Sequence, residues 1–228
     1  QQEPRLVVHY ACLTGLPGAE EFKQSYTEDS KADFHKIVSD MADIPRDQAK
    51  TINLGKFYGM GKNKLKGELG IEDNKAEDII KQYDARVPFV KQLMHHAMGR
   101  AEQRGQIRTL LGRLCHFHLW EPNQFGVHKP LTHEAALLEH GPGIKRAFTY
   151  KALNKLIQGS AADMIKKAML DLYNEGIIPL IQIHDELNIS VKDKSESDKV
   201  IEIMENAVNL EVPNKVDYES GKHWGEIE

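Results

Sequence analysis

The hydrophobic pattern of this chain changes its period after Gly176, and that change limits the folds open to it. Residues 145–173 carry apolar side chains at helical spacing around a small-residue middle, Gly159, Ser160, Ala161 and Ala162, which signals close packing. After Gly176 the apolar residues come in two short runs, Ile177-Ile178-Pro179-Leu180-Ile181-Gln182-Ile183 and Leu187-Asn188-Ile189-Ser190-Val191. These read as strands of a hairpin over 177–191 that holds His184-Asp185-Glu186 at its tip. Helices over most of the length with a late hairpin give a mixed, α+β expectation.

Upstream of that switch the pattern is mainly helical. Residues 5–15 read as an apolar strand or helix ending at Gly15, and 32–41 as amphipathic. A helix over 43–58 follows, with Asp43 as its cap, Pro45 in its first turn and Gly59 beyond its end. Residues 76–104 read as a helix bent or broken at Arg86-Val87-Pro88. Pro122, Pro130, Pro142 and several glycines make 120–143 a loop with room for one short helix. Near the C-terminus, Ser195 and Asp198 resemble a capping box before a helix carrying Val200, Ile201, Met204, Ala207 and Val208, and 216–221 reads as a returning strand.

Length and composition bound the answer without choosing it. The 228 residues suffice for one domain or two closely packed lobes. No apolar run approaches the roughly 20 residues of a membrane span, which argues against a membrane role. Cys12 and Cys115 form no paired framework and fit a reducing cytoplasm, as packing residues. The start, Gln-Gln-Glu-Pro, lacks an initiator Met and a leader, and reads as an internal cut or a processed piece. A net charge of -4 argues mildly against a nucleic-acid partner, but Lys and Arg cluster locally. One cluster is Lys56, Lys62, Lys64 and Lys66; a second is Arg104, Arg108 and Arg113; a third runs from Lys145 and Arg146 through Lys151 and Lys155 to Lys166 and Lys167. Acidic residues gather in 68–84 and near the C-terminus, so the pattern suits a basic groove with an acidic rear, and equally a solvated charged surface.

Two groups of residues carry chemistry. Arg46, Lys50, Leu54 and Tyr58 recur every four residues, so on a helix they share one face that drifts by about 40° per step. Two cations followed by an apolar and an aromatic side chain match the polarity of a nucleoside triphosphate, with phosphates at one end and sugar and base at the other. An amphipathic helix with a solvated basic end explains the same letters. His184-Asp185-Glu186 holds carboxylates at the end of a sheet, where they suit divalent metals, including a pair of Mg2+ ions that activate a hydroxyl and stabilise a leaving pyrophosphate. A polar hairpin tip in water is the plain alternative. The histidines His116, His118, His128 and His133 with Cys115 match no usual zinc spacing.

Taken together and in order, these segments resemble family A DNA polymerases. RDQAKTINLGKFYG, over 46–59, is similar to motif B: Arg, three residues, Lys, seven residues, Tyr-Gly. IQIHDELNIS, over 181–190, resembles motif C, and QQEPR, over 1–5, resembles the tail of motif A. Residues 154–163, from Asn154 through Gln158 to Asp163, resemble the palm helix that follows the fingers, and residues 119–122 and 150–154 look most like bacteriophage members.

The resemblance implies a right-hand palm, an antiparallel sheet with helices, joined to a mainly helical fingers subdomain. Residues 1–15 would be palm at the end of motif A, 16–130 fingers containing the motif B helix, and 131–228 palm containing the motif C hairpin. It implies a primer-template DNA partner, deoxynucleoside triphosphates and two Mg2+ ions. By motif position Arg46 and Lys50 would bind the triphosphate, Leu54 and Tyr58 would meet sugar and base, and Glu3 would exclude a ribose 2'-hydroxyl. His184 would support the primer end or the triphosphate, Asp185 would ligate metal, and Glu186 would be a weaker ligand. Arg5 would brace the site beside DNA, with Tyr58 and Gly59 near the template and Asn154 and Gln158 in the minor groove.

Two departures accompany the likeness. The motif A aspartate is expected three residues before Gln1, together with a thumb on the preceding polymerase segment, and Leu54 stands where an aromatic residue is common. Single-subunit RNA polymerases share a similar helix and hairpin, and Glu3 argues against them. A silent DNA-binding polymerase remnant is the rival of another class.

Overall fold

The computed structural model describes residues 2–60, 62–124 and 126–226. Ten helices account for most of these residues, with six short strands among them. The first helix, α1 (Gln2–Leu13), settles the choice between strand and helix over 5–15. Pro4 through His9 are all buried, so the segment has no polar face to reveal a helical period. Four helices then follow in quick succession: α2 (Ala19–Glu28), α3 (Phe34–Ala42), α4 (Arg46–Phe57) and α5 (Lys62–Leu69).

The entry to α4 differs from the expectation. Asp43 does not cap it; it closes α3 in the left-handed region at φ 51, and Pro45 stands at the N-cap of α4 with no side-chain bond. Only Ile44 and Pro45 then separate the Asp43 turn from Arg46, which packs α3 and α4 against each other.

The broken helix divides into α6 (Asp73–Arg86) and α7 (Pro88–Arg104). Pro88 has no N–H to give and starts the second helix at its first position, where none is needed. A hairpin of β1 (Gln106–Arg108) with β2 (Leu114–His116) follows. The proline-rich stretch contains β3 (Trp120–Pro122) and α8 (His133–His140), and β3 pairs with β4 (Ile144–Arg146). A 3-10 turn over Thr149–Lys151 leads into α9 (Ala152–Asn174), so the expected 145–173 helix is a strand, a turn and a helix.

The late hairpin is shorter than its apolar runs. Strands β5 (Ile181–Ile183) and β6 (Glu186–Asn188) pair antiparallel, with His184 and Asp185 as the two loop residues. Residues 177–180 and 189–191 lie outside the ladder. The last helix, α10 (Lys194–Asn206), is capped by Asp193, whose side chain accepts from the N–H of Glu196. Glu196 in turn accepts from the N–H of Lys192, so the capping residues are Asp193 and Glu196 and not Ser195 and Asp198. Residues 216–221 form no strand; Val216 N–H donates to the Glu205 carboxylate instead of a ladder.

The fold is therefore α+β, with its antiparallel strands in three separate two-stranded sheets among the described residues. One core runs from Leu6 and Val7 of α1 through Phe22, Phe34, Ile52, Tyr83 and Phe89 to Leu153 and Ile157 of α9. A smaller cluster of Leu172, Ile177 and Val200 lies under the late hairpin, with Leu187 and Ile189 packed on it. No described helix is long and apolar enough to cross a membrane.

Candidate active site

Helix α4 presents its four-residue series as a gradient of burial. Arg46 and Lys50 are exposed, while Leu54 and Tyr58 are half-buried and packed on the core. The opposite face anchors the helix. Asn53 is fully buried, accepts from the Tyr83 hydroxyl at 2.7 Å and donates through Nδ2 to His35 Nδ1 at 2.9 Å. This buried chain fixes α4 against α3 and α6, so the exposed face holds its direction.

The two cations of that face are not equivalent. Arg46 donates from Nε at 2.8 Å and from Nη2 at 2.5 Å to Oδ2 of Asp33, whose other oxygen caps α3. Lys50 has no ion-pair partner among the described residues. Asp33 is the neighbour of this face that sequence reading missed; its one signal was an acidic residue ahead of an amphipathic run.

Three distant segments meet at Tyr58. Its hydroxyl donates to Glu3 Oε1 at 3.1 Å, joining the first turn of α1 to the end of α4. Burial, then the charge and hydrogen bond of Glu3, push the Tyr58 hydroxyl pKa up, while Gln158 on α9 pulls it back. Asn154 stands one turn before Gln158 and is half-buried. Gly59, just past α4, has φ +69, and a Cβ there would lie 2.4 Å from the Tyr150 carbonyl oxygen. Backbone conformation and close approach both demand glycine.

Arg5 points inward. It is 6% exposed, its guanidinium donates to the carbonyls of Pro213 and Ser30, and it lies 4.4 Å from the Tyr26 ring centroid. As a brace between α1, the 28–33 turn and the C-terminal tail it is placed well; as a DNA contact it would first have to leave these partners.

The hairpin tip holds its residues in fixed directions. His184 adopts φ 52, and its carbonyl accepts from Gln182 Nε2 at 2.9 Å. Glu186 opens β6 and accepts from Asn188 Nδ2 at 2.9 Å. Asp185 and Glu186 both line a cleft of about 1050 Å3 with Gln2, Arg5, Met164 and Met204. The first turn of α1 is thus the junction of the site: Glu3 faces Tyr58, and Gln2 and Arg5 reach the cleft of the carboxylates. Gln1, the first residue of the motif A tail, lies outside the described residues.

The basic clusters resolve unevenly. Lys56 pairs with Asp84 at 2.7 Å, and Lys62 and Lys66 pair with Glu77 at 2.5 and 3.4 Å. Hydrogen bonding and charge from Lys62 first, then Lys66, hold the Glu77 carboxyl down at about 2. Lys56, Lys62 and Lys66 of the first cluster are therefore paired with the acidic stretch, the last two because α5 packs on α6. Arg113 binds buried Asp163 at 3.0 Å and the Gly159 carbonyl at 2.7 Å, fastening the 109–113 loop to α9. A Cβ on Gly159 would meet Thr109 Cγ2 at 2.6 Å, which is what the small-residue middle of this helix accommodates.

An α+β chain whose opening helix meets the end of the basic helix through Glu3 and Tyr58, and lines the cleft of the acidic hairpin with Gln2 and Arg5, has counterparts of known structure. It superposes on the POL domain of Pol1 from M. smegmatis, in a complex with DNA primer-template and dNTP, with a TM-score of 0.68 and 26% identity over 94% of this chain and 37% of that one. The chain belongs to DNA polymerase family A, whose family model matches residues 1–226. It is 34% identical to a DNA-directed DNA polymerase of Pseudomonas phage M6 over 99% of its length, and 35% identical to DNA polymerase I of Geobacillus stearothermophilus over 98%. It spans 37% and 25% of the lengths of these two curated relatives.

Proposed function

We propose that this chain forms the fingers and part of the palm of a polymerase that copies a DNA template, adding deoxynucleotides to a primer 3'-hydroxyl. The observation that carries the reading is the Glu3–Tyr58 hydrogen bond at 3.1 Å, because it joins the motif A tail, through the residue expected at the incoming sugar, to the motif B helix, through the residue expected near the templating base. Residues 16–130 are the fingers, and 1–15 with 131–228 the palm portion. The polymerase segment expected to carry the motif A aspartate and the thumb is its partner, on the same chain or another.

Lys50 and Arg46 hold the triphosphate from the exposed end of α4, with Lys50 in no ion pair among the described residues and Arg46 shared with Asp33. Leu54 and Tyr58 form the wall against sugar and base. Glu3, held by Tyr58, leaves no room for a 2'-hydroxyl. Asn154, Gln158 and the Tyr58-Gly59 corner meet template and primer, and Arg5 keeps α1 in place behind them. His184 lies at the hairpin tip, where it supports the primer end or the triphosphate.

Asp185 and Glu186 fit magnesium by their chemistry: both are hard oxygen donors lining an open cleft, with space for the waters and phosphate oxygens that Mg2+ retains. Asp185 is the stronger candidate because Glu186 is already tied to Asn188. Two such ions, when bound, would neutralise charge on the attacking and leaving oxygens.

The test is primer extension by this chain supplied with the polymerase segment that carries the motif A aspartate. Asp185→Asn abolishes extension and leaves DNA affinity largely intact. Near-normal extension by the variant overturns the assignment of Asp185, and DNA binding without extension by the unsubstituted protein favours the silent remnant.

A further inference from the structure

Among the described residues Asp163 of α9 is the one buried carboxylate, 6% exposed, and the polymerase reading gives it no task. Its side chain is held by the five-residue loop 109–113 between β1 and β2. The Thr109 hydroxyl donates to Oδ2, Leu111 N–H donates to the same oxygen at 3.3 Å, and Arg113 donates from Nε to Oδ1 at 3.0 Å. Nearby on α9, fully buried Ser160 accepts from Leu110 N–H at 3.0 Å and shares a hydrogen bond of 2.7 Å with the Tyr10 hydroxyl of α1. Burying a carboxylate costs far more than burying an apolar side chain of its size, so apolar contacts would serve a loop that needed anchoring alone.

The loop braces a weak turn of α9. Gly159 lowers helix stability relative to alanine, and Thr109 and Arg113 occupy the space its missing side chain leaves. A Cβ there would lie 2.6 Å from Thr109 Cγ2 and 3.3 Å from Arg113 Nη2. Arg113 Nη2 donates to the Gly159 carbonyl at 2.7 Å and lies 3.0 Å from Asp163 Oδ1, so one guanidinium ties the two ends of the 159–163 turn together. The residue that enters this turn is Gln158, which is exposed. A hydrogen bond from Gln158 acts on the Tyr58 hydroxyl, which is also bonded to Glu3.

We infer that Arg113, held by Asp163, is a positioning residue for Gln158: it fixes the α9 turn so that the Gln158 amide points at the minor-groove edge of the primer-terminal base pair. This inference rests on the polymerase reading above. The minor groove presents a largely degenerate pattern of acceptors, so an amide held in one direction finds a partner on any matched end and misses a distorted one. A Gln158 that swings loses its contact with matched ends, whereas a mismatched end has no such contact to lose. The clamp therefore acts on the difference between the two ends.

The test is primer extension by this chain, supplied with the polymerase segment that carries the motif A aspartate, from primers ending in a matched or a mismatched pair. Arg113→Lys keeps a cation beside Asp163 but lacks the planar fork that reaches the Gly159 carbonyl as well. It slows extension from the matched end about five- to tenfold, the loss of about one hydrogen bond, and leaves the mismatched end and the melting temperature nearly unchanged. In a double-mutant cycle it adds nothing to Gln158→Ala. Gly159→Ala, whose Cβ displaces the loop while favouring the helix, gives the same selective loss, and adding Thr109→Ser, which removes the obstructing Cγ2, restores the matched rate. Where Arg113→Lys lowers the melting temperature, this second pair of variants decides. Equal slowing on both ends, no slowing, or losses that multiply in the cycle overturn the positioning role and leave Arg113 a contact of the fold. An unsubstituted chain that extends neither primer overturns the polymerase reading, and the positioning role with it.

Discussion

Arg46 and Asp33 show how a single contact changes what a motif residue has available. Both donors that Arg46 gives to Asp33 go to one carboxylate oxygen, and the pair is substantially exposed, so its own contribution to stability is small. On the proposed reading its effect on a triphosphate is larger, because Asp33 would compete for the guanidinium and repel phosphate. Asp33→Asn keeps the capping of α3, since Asn caps as well as Asp, and removes the charge. Titration calorimetry with a deoxynucleoside triphosphate is expected to show binding about three- to tenfold tighter, from ~1 kcal/mol of removed competition near the surface. Weaker binding would mean that Asp33 orients Arg46 for the phosphate instead.

At the scale of elements, α4 is the most constrained helix of the site. Its outer face was legible because Arg46, Lys50, Leu54 and Tyr58 fall at one spacing, whereas its inner face was not, because Asn53 gains its meaning from Tyr83 and His35 on other helices. Asn53→Leu would leave the Tyr83 hydroxyl without its acceptor and His35 Nδ1 without its donor in a buried site. That costs about 2–4 kcal/mol, measured as a lowered urea midpoint. An unchanged midpoint would mean that water reaches these groups. Helix boundaries were less legible. Asp43 is as good a cap by residue type as Asp193, but the two-residue link between α3 and α4 puts Asp43 in the left-handed closing turn of α3. The hairpin tip was readable because two apolar runs bracket polar residues. The lengths of its strands were not, since Ile178 and Leu180 are apolar yet exposed beyond the ladder.

Over the whole molecule the two ends of the chain hold each other. Arg5 bonds the Pro213 carbonyl, His9 Nδ1 accepts from Glu211 N–H at 3.0 Å, and Lys23 pairs with Glu211 at 2.7 Å. Burial lowers the His9 pKa below its ordinary 6.5, with Glu211 opposing, and burial lowers that of His35 also. Above 6.5 each imidazole is neutral in both folded and unfolded chains. As pH falls below 6.5 the unfolded chain takes up protons that the folded chain resists, so stability declines with falling pH until the lowered folded values are passed. The melting temperature is expected to drop by a few degrees between pH 7.5 and 5.5, and His9→Gln to reduce that drop; an undiminished slope in the variant would move the effect to other groups. The sequence by itself determined the α+β class, the order of the three motifs, the shared face of Arg46, Lys50, Leu54 and Tyr58, and the acidic hairpin tip, because each depends on local spacing. Only the tertiary structure decided how the charges pair: Arg5 turned inward, Arg46 shared with Asp33, Lys62 and Lys66 both on Glu77, and Lys50 without an ion-pair partner among the described residues. Pairing and burial depend on distance in space, and partners such as Arg5 and Pro213 lie 208 residues apart in the chain, beyond the reach of any local pattern.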